Sequence, residues 1–167
     1  MDREELHRVL SHSLVTRVVP DETADQINYH VIFAQYTRRR AHFKTRPAEV
    51  TDMRTGSVNG FDPGGEAVAA VVALAPYAMA LVDQVLDFLL GKTSESLGAR
   101  IWAWITLRRH TRVPAELPVL TAELLEGVES LSRTLADEWE LEPHKKDQLT
   151  LALVKLLLEQ QKNEGEA

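Results

Sequence analysis

From Ala67 to Val82 the chain runs sixteen residues without a charge, inside the wider apolar stretch Gly64–Lys92, GGEAVAAVVALAPYAMALVDQVLDFLLGK. Such a segment has two homes, a lipid bilayer or the centre of a helical bundle. A bilayer span needs about 20 predominantly apolar residues. Extending this run brings in Asp83, Gln84 and Asp87, and an aspartate at the middle of a span costs about 2.5–3.5 kcal/mol. Read instead as a core helix over 66–90, the pattern is consistent. Val68, Val71, Val72, Met79, Val82, Leu86 and Leu89 share one face, and Leu74, Leu81, Val85 and Phe88 make a second. A helix apolar on most sides is covered on most sides by other helices. Pro76 lacks a backbone N–H and is expected to kink it. Asp83 and Asp87, four residues apart, are expected to reach solvent or to pair with Arg100, Arg108 or Arg109.

The rest of the chain supplies the helices that would do the covering. Leu6, Val9, Leu10 and Leu14 recur at helical spacing over 3–18, although 14–19 is β-branched enough to compete as a strand. Asp21 or Thr23 opens a second helix expected to run through Lys44, with Ile27, Val31 and Ala34 on one face and Ile32, Tyr36 and Phe43 broadening the stripe; 29–36 again contains good strand formers. Lys92-Thr93-Ser94-Glu95 starts a helix over 95–111, and Leu124, Val128, Leu131 and Leu135 stripe another over 119–139. Pro143 suits the first position of a last helix over about 144–162. Residues 45–65 carry Pro47, Gly56, Asn59-Gly60 and Pro63-Gly64-Gly65, which is turn chemistry at close intervals. The expectation is a mainly α fold: a five- to six-helix bundle with one long irregular loop at about 45–65. It is read as one domain over 1–162 with a frayed acidic tail at 163–167.

Composition narrows the function. With 44% hydrophobic and 26% charged residues the 167-residue chain is ordinary globular material. It contains no cysteine, which removes disulfides, thiolate metal sites and cysteine nucleophiles. A cysteine-free chain whose N-terminus, MDREELHRVLSHS, lacks an apolar leader is expected in the cytoplasm. The net charge of −6 is uneven: residues 1–65 carry nine basic and nine acidic side chains, residues 66–167 ten and sixteen. The acidic part would repel nucleic acid and anionic lipid.

Catalytic motifs are missing. There is no G-x-x-x-x-G-K-[ST], G-x-G-x-x-G or G-x-S-x-G; Gly91-Lys92-Thr93 resembles the end of a phosphate loop, but Leu86 stands where its first glycine belongs. No two of His7, His12, His30, His42, His110 and His144 are four apart, so no helix face presents two imidazoles to a metal, and each histidine is expected at the surface or an edge. Asp62 and Glu66 flank Pro63-Gly64-Gly65 and suit a turn into the core helix. Neither a catalytic site, a metal nor a cofactor is expected.

Binding is better represented. Thr37–Arg46, TRRRAHFKTR, interleaves Arg38, Arg39, Arg40, Lys44 and Arg46 with His42 and Phe43, a mixture suited to phosphate contacts and base stacking. It also suits the basic end of a helix that answers the negative dipole and pairs with the acidic half. Trp102 and Trp104 fall on different faces of one helix, and the last helix has more leucine than one core-facing stripe needs, with Leu151, Val154 and Leu158 in surplus. Surplus apolar faces mark assembly surfaces. Phe61, on the long loop, is a further candidate anchor. The sequence reads best as a small non-enzymatic accessory or adaptor protein that binds other chains, as a homo-oligomer or a subunit of a larger complex. The alternatives are a nucleic-acid-binding regulator using 38–46 and a membrane-active, pore-like effector using helix 66–90.

Overall fold

The structure, a computed structural model, describes residues 2–19, 25–52, 66–92 and 117–165. Among these the fold is mainly α, with five long helices, two single-turn helices and no strand: α1 (Arg3–Val18), α2 (Asp25–Arg38), α3 (Arg40–Phe43), α4 (Glu49–Asp52), α5 (Glu66–Lys92), α6 (Ala122–Glu138) and α7 (Pro143–Gly165). The expected helix over 95–111 and most of the loop at 45–65 lie outside the described residues.

Local chemistry accounts for most boundaries. Asp2 caps α1, its Oδ1 accepting from the Glu5 N–H at 2.8 Å, and Glu4 and Glu5 lie in the first turn where the dipole favours them. The β-branched end remains helical as far as Val18 because Leu14 and Val15 are both fully buried there. Thr121 caps α6 through its hydroxyl, 3.3 Å from the Leu124 N–H, so that helix opens at Ala122 rather than 119. At its other end Leu141 N–H reaches Ala136 O at 2.9 Å and Glu140 N–H reaches Asp137 O at 3.0 Å, with Glu140 left-handed at φ 56°. That is a Schellman motif, in which glycine is the usual occupant of the left-handed position. Pro143 then starts α7.

Two details of α2 differ from the sequence expectation. It stops at Arg38 instead of running through Lys44, and a separate turn, α3, follows. Its core face agrees only in part: the expected Ile32, Tyr36 and Phe43 are buried, together with Tyr29 and Phe33, whereas Val31 and Ala34 face outward. The aromatic stripe removes more area from water than the small aliphatic one, and it decides how the helix rolls.

α5 is the axis. It packs against α1, α2, α4 and α6, while α7 packs against α1 and α6. The helices α1, α5, α6 and α7 thus close a ring, with α2 laid against α1 and α5. Both expected apolar faces of α5 are used: Met79, Val82, Leu86 and Leu89 are buried, as are Leu74, Leu81 and Val85, with Phe88 half-buried. Pro76 is buried inside the helix. Ala73–Gly91 is long and apolar enough to cross a membrane, with a mean hydropathy of 1.4, yet 67% of that window is buried by the protein. Where α5 meets α6 the contact is close: a Cβ on Gly127 would fall 2.5 Å from Phe88 Cζ.

Candidate functional site

Asp83 interrupts the apolar run of α5, and its side chain has no exposed surface. Its Oδ2 accepts from Tyr36 Oη of α2 at 2.9 Å and from Arg40 Nε at 2.7 Å. Its Oδ1 pairs with Arg3 Nη2 at 2.8 Å and also with Arg40 Nη2. One turn on, Asp87 pairs with Arg3 and Lys44, and Gln84 Nε2 donates to Lys44 O at 3.0 Å. The two aspartates therefore bind the start of α1 and the α2–α3 junction to α5. The expected partners Arg100, Arg108 and Arg109 lie outside the described residues. The break after Arg38 turns the Arg40 guanidinium toward Asp83.

Burial raises the Asp83 carboxyl, but the Arg40 hydrogen bond and the surrounding positive charges outweigh it and hold the pKa at about 2. Burial, reinforced by the Asp83 charge, pushes Tyr36 well above its ordinary value. Arg3 and Arg40, 33% and 28% exposed, roof the carboxylate and carry its charge to the surface. A buried charge is tolerated only with such partners.

A second surprise lies behind this cluster. His7, expected at a surface or edge, is fully buried, between the rings of Phe33 at 5.3 Å and Tyr36 at 5.5 Å. Its Nε2 lies 2.8 Å from Met79 O; the carbonyl only accepts, so Nε2 carries the hydrogen. Nδ1 is buried without a partner. Burial lowers the His7 pKa to about 4, against the opposing pull of the Met79 carbonyl and Asp83. Next to it, Ser11 Oγ donates to His7 O at 2.6 Å and lies 2.5 Å from Tyr29 Oη. A polar seam from Tyr29 through Ser11 and His7 to Tyr36 and Asp83 thus runs along the junction of α1, α2 and α5. Every atom of it faces protein, and it fixes how three helices register.

The basic cluster at 38–46 is brought together but largely engaged. Arg40 and Lys44 face Asp83 and Asp87, Arg46 meets Glu49 at 3.4 Å, and Arg39 lies over the Phe43 ring at 6.0 Å. His42 pairs with Glu49. Arg38 and Arg39 are exposed. Asp62, Phe61, Trp102 and Trp104 lie outside the described residues. No cluster of three or more metal-ligating side chains occurs among the described residues.

The leucine surplus of α7 resolves by face. Leu149, Leu153, Leu156 and Leu157 enter the core. Val154 is half-buried against its edge. Leu151 and Leu158, seven residues apart, point the other way and are 57% and 37% exposed. Beside them Lys155 and Lys162 are exposed. Glu159 on the same side is held by Arg17 of α1, and Arg17, Lys162 and Lys155 together hold its carboxyl below the usual range. The outer face of α7 is therefore apolar at its centre and cationic around it, on a chain whose net charge is −6.

No protein-family model matches the chain, and comparison with curated proteins and with solved structures finds no match.

Pattern reading singled out Asp83, Asp87, Arg40 and Lys44 but missed the seam and the two other partners of Asp83, Tyr36 and Arg3. These residues are up to 80 positions apart in sequence. The available signal was Asp83 itself, the charge that ends an uncharged run at a position spaced with core residues.

Proposed function

We propose that this protein is a non-enzymatic accessory or adaptor protein that acts by binding other protein chains, and that the outer face of α7 is its docking surface. The observation that carries the reading is the exposure of Leu151 and Leu158, one heptad apart, on a helix whose opposite face already fills the core. Two leucines left at the solvent pole of a helix do nothing for the fold, whereas apolar side chains at this spacing are the anchors of helix-in-groove and helix-on-helix docking. The buried polar seam supplies the complementary property, a rigid platform.

The rival readings have less to stand on. A nucleic-acid-binding regulator would use 38–46, but Arg40 and Lys44 already neutralise Asp83 and Asp87, leaving Arg38, Arg39 and the surface-paired Arg46 as its contacts. A membrane-active effector would use α5, but α5 would first have to leave α1, α2, α4 and α6.

A photo-cross-linking residue at position 155 tests the proposal, with position 41 in the exposed part of α3 as the control site. The reading expects discrete protein adducts from 155, few from 41, and their loss in Leu151→Asp/Leu158→Asp with the circular dichroism spectrum unchanged. Adducts that ignore the double substitution, or that form equally at both sites, would refute it.

A further inference from the structure

We propose that the occupant of this face is a second copy of the chain, placed so that α7 of each copy lies on α6 of the other. The inference rests on the docking reading above and names its partner. α6 and α7 form an antiparallel hairpin: Lys146 meets Asp137 near the turn, and Asp147 meets Arg133 further from it. The N-terminal half of α6 consequently lies alongside the C-terminal half of α7.

The two halves carry opposite chemistry. On α7 the outward stripe is Leu151, Lys155, Leu158 and Lys162. On the N-terminal half of α6 the exposed acidic residues are Glu123, Glu126 and Glu129; Glu129 is held by Arg133, whereas Glu123 and Glu126 are in no ion pair among the described residues, and Val119 precedes them at 76% exposure. A cationic apolar stripe thus runs beside an acidic one that begins at an exposed valine. A two-fold axis through the hairpin sets each stripe against its complement in the other copy, twice over, and the contact closes on itself. Two chains of net charge −6 repel at a distance, so the local match selects the orientation in which they meet. A face-to-face pairing of α7 with α7 would instead set Lys155 and Lys162 against their own copies.

Light scattering behind size exclusion on the full chain tests this with two charge-reversed variants, Lys155→Glu/Lys162→Glu and Glu123→Lys/Glu126→Lys. Wild type is expected at twice the 18.8 kDa chain mass. Each variant alone is expected to dimerise at least about tenfold more weakly, because like charges then oppose each other across the contact. Mixed in equal amounts, the two are expected to form a heterodimer, since every contact in the mixed pair is again between opposite charges. Restoration by mixing also shows that both variants fold. A wild-type chain that stays monomeric, a dimer indifferent to both reversals, or variants that fail to pair on mixing would each overturn the proposal. If the self-pairing fails while cross-linking from position 155 still depends on Leu151 and Leu158, the docking face stands and its occupant is another protein.

Discussion

Tyr36 donates its phenolic hydrogen to Asp83 Oδ2 at 2.9 Å, which places a charged acceptor inside the contact between α2 and α5. Arg3 and Arg40 complete the acceptor's shell. Removing one member of a buried ion pair strands the rest. Asp83→Ala is therefore expected to cost about 3 kcal/mol in urea unfolding. Asp87→Ala, at a side chain 47% exposed with the same arginine as partner, is expected to cost less than about 1 kcal/mol. Equal effects at the two positions would show that the cluster is not organised around Asp83.

Stability should fall with acid in two adjoining windows. His7 has a pKa of about 4 in the fold because burial disfavours its charged form, against about 6.5 in the unfolded chain. As the pH drops from about 6.5, the unfolded chain binds the proton first, so stability is lost down to about pH 4 and this contribution then levels off. Asp83 works in the next window. Its folded value of about 2 lies below the ordinary carboxylate value, so its contribution is complete above about pH 4 and disappears as the pH falls through about 2. His7→Gln can still offer an N–H to Met79 O and no longer titrates. Urea midpoints of that variant should be flat from pH 6.5 to 4.5 while keeping the loss at lower pH. A slope unchanged by the substitution would assign the first window to another group.

Gly127 leaves room for the ring beside it. Alanine there would set a Cβ 2.5 Å from Phe88 Cζ. Overpacking of this kind costs about 1–3 kcal/mol, against about 1 kcal/mol gained in helix propensity. Gly127→Ala is expected to destabilise wild type by about 1 kcal/mol net, and to stabilise a Phe88→Ala background by about 1 kcal/mol, because only the propensity remains there. The same sign in both backgrounds would mean that the ring moves aside freely.

Glu140 holds a left-handed conformation at φ 56° in the turn between α6 and α7. A side chain there crowds the following carbonyl, which glycine avoids. Glu140→Gly is expected to raise stability by about 0.5–1 kcal/mol, the relief of strain less the extra freedom of the unfolded chain. A loss of similar size in thermal unfolding would show that the Glu140 side chain contributes more than its backbone costs.

The four helices that close the ring were legible because each repeats its apolar residues at helical spacing, and two of them start on a residue the sequence marks: Thr121 before α6 and Pro143 opening α7. The end of α2 was not legible. Nothing in Arg38-Arg39-Arg40 breaks a helix; the break places Arg40 on Asp83, a residue 43 positions away. The burial of His7 was hidden for the same reason. A histidine among Leu6, Leu10 and Leu14 has the spacing of a core residue, but only the Met79 carbonyl, supplied by another helix, makes that position tolerable. On α7, leucine content revealed a surplus, and assigning Leu151 and Leu158 to solvent rather than Leu153 and Leu157 required knowing where α1 and α6 lie.

On the proposed docking face, Leu151 and Leu158 are the side chains that a second protein covers. Hydroxyl-radical footprinting reads this at the side chains themselves. In dilute purified protein, heavy labelling of both residues and little of Leu153 and Leu157 is expected. Labelling of Leu151 and Leu158 is expected to fall severalfold, with Leu153 unchanged, in concentrated protein or in the complex recovered by cross-linking at position 155. Labelling of Leu151 and Leu158 that stays the same at every concentration and in every complex would contradict it.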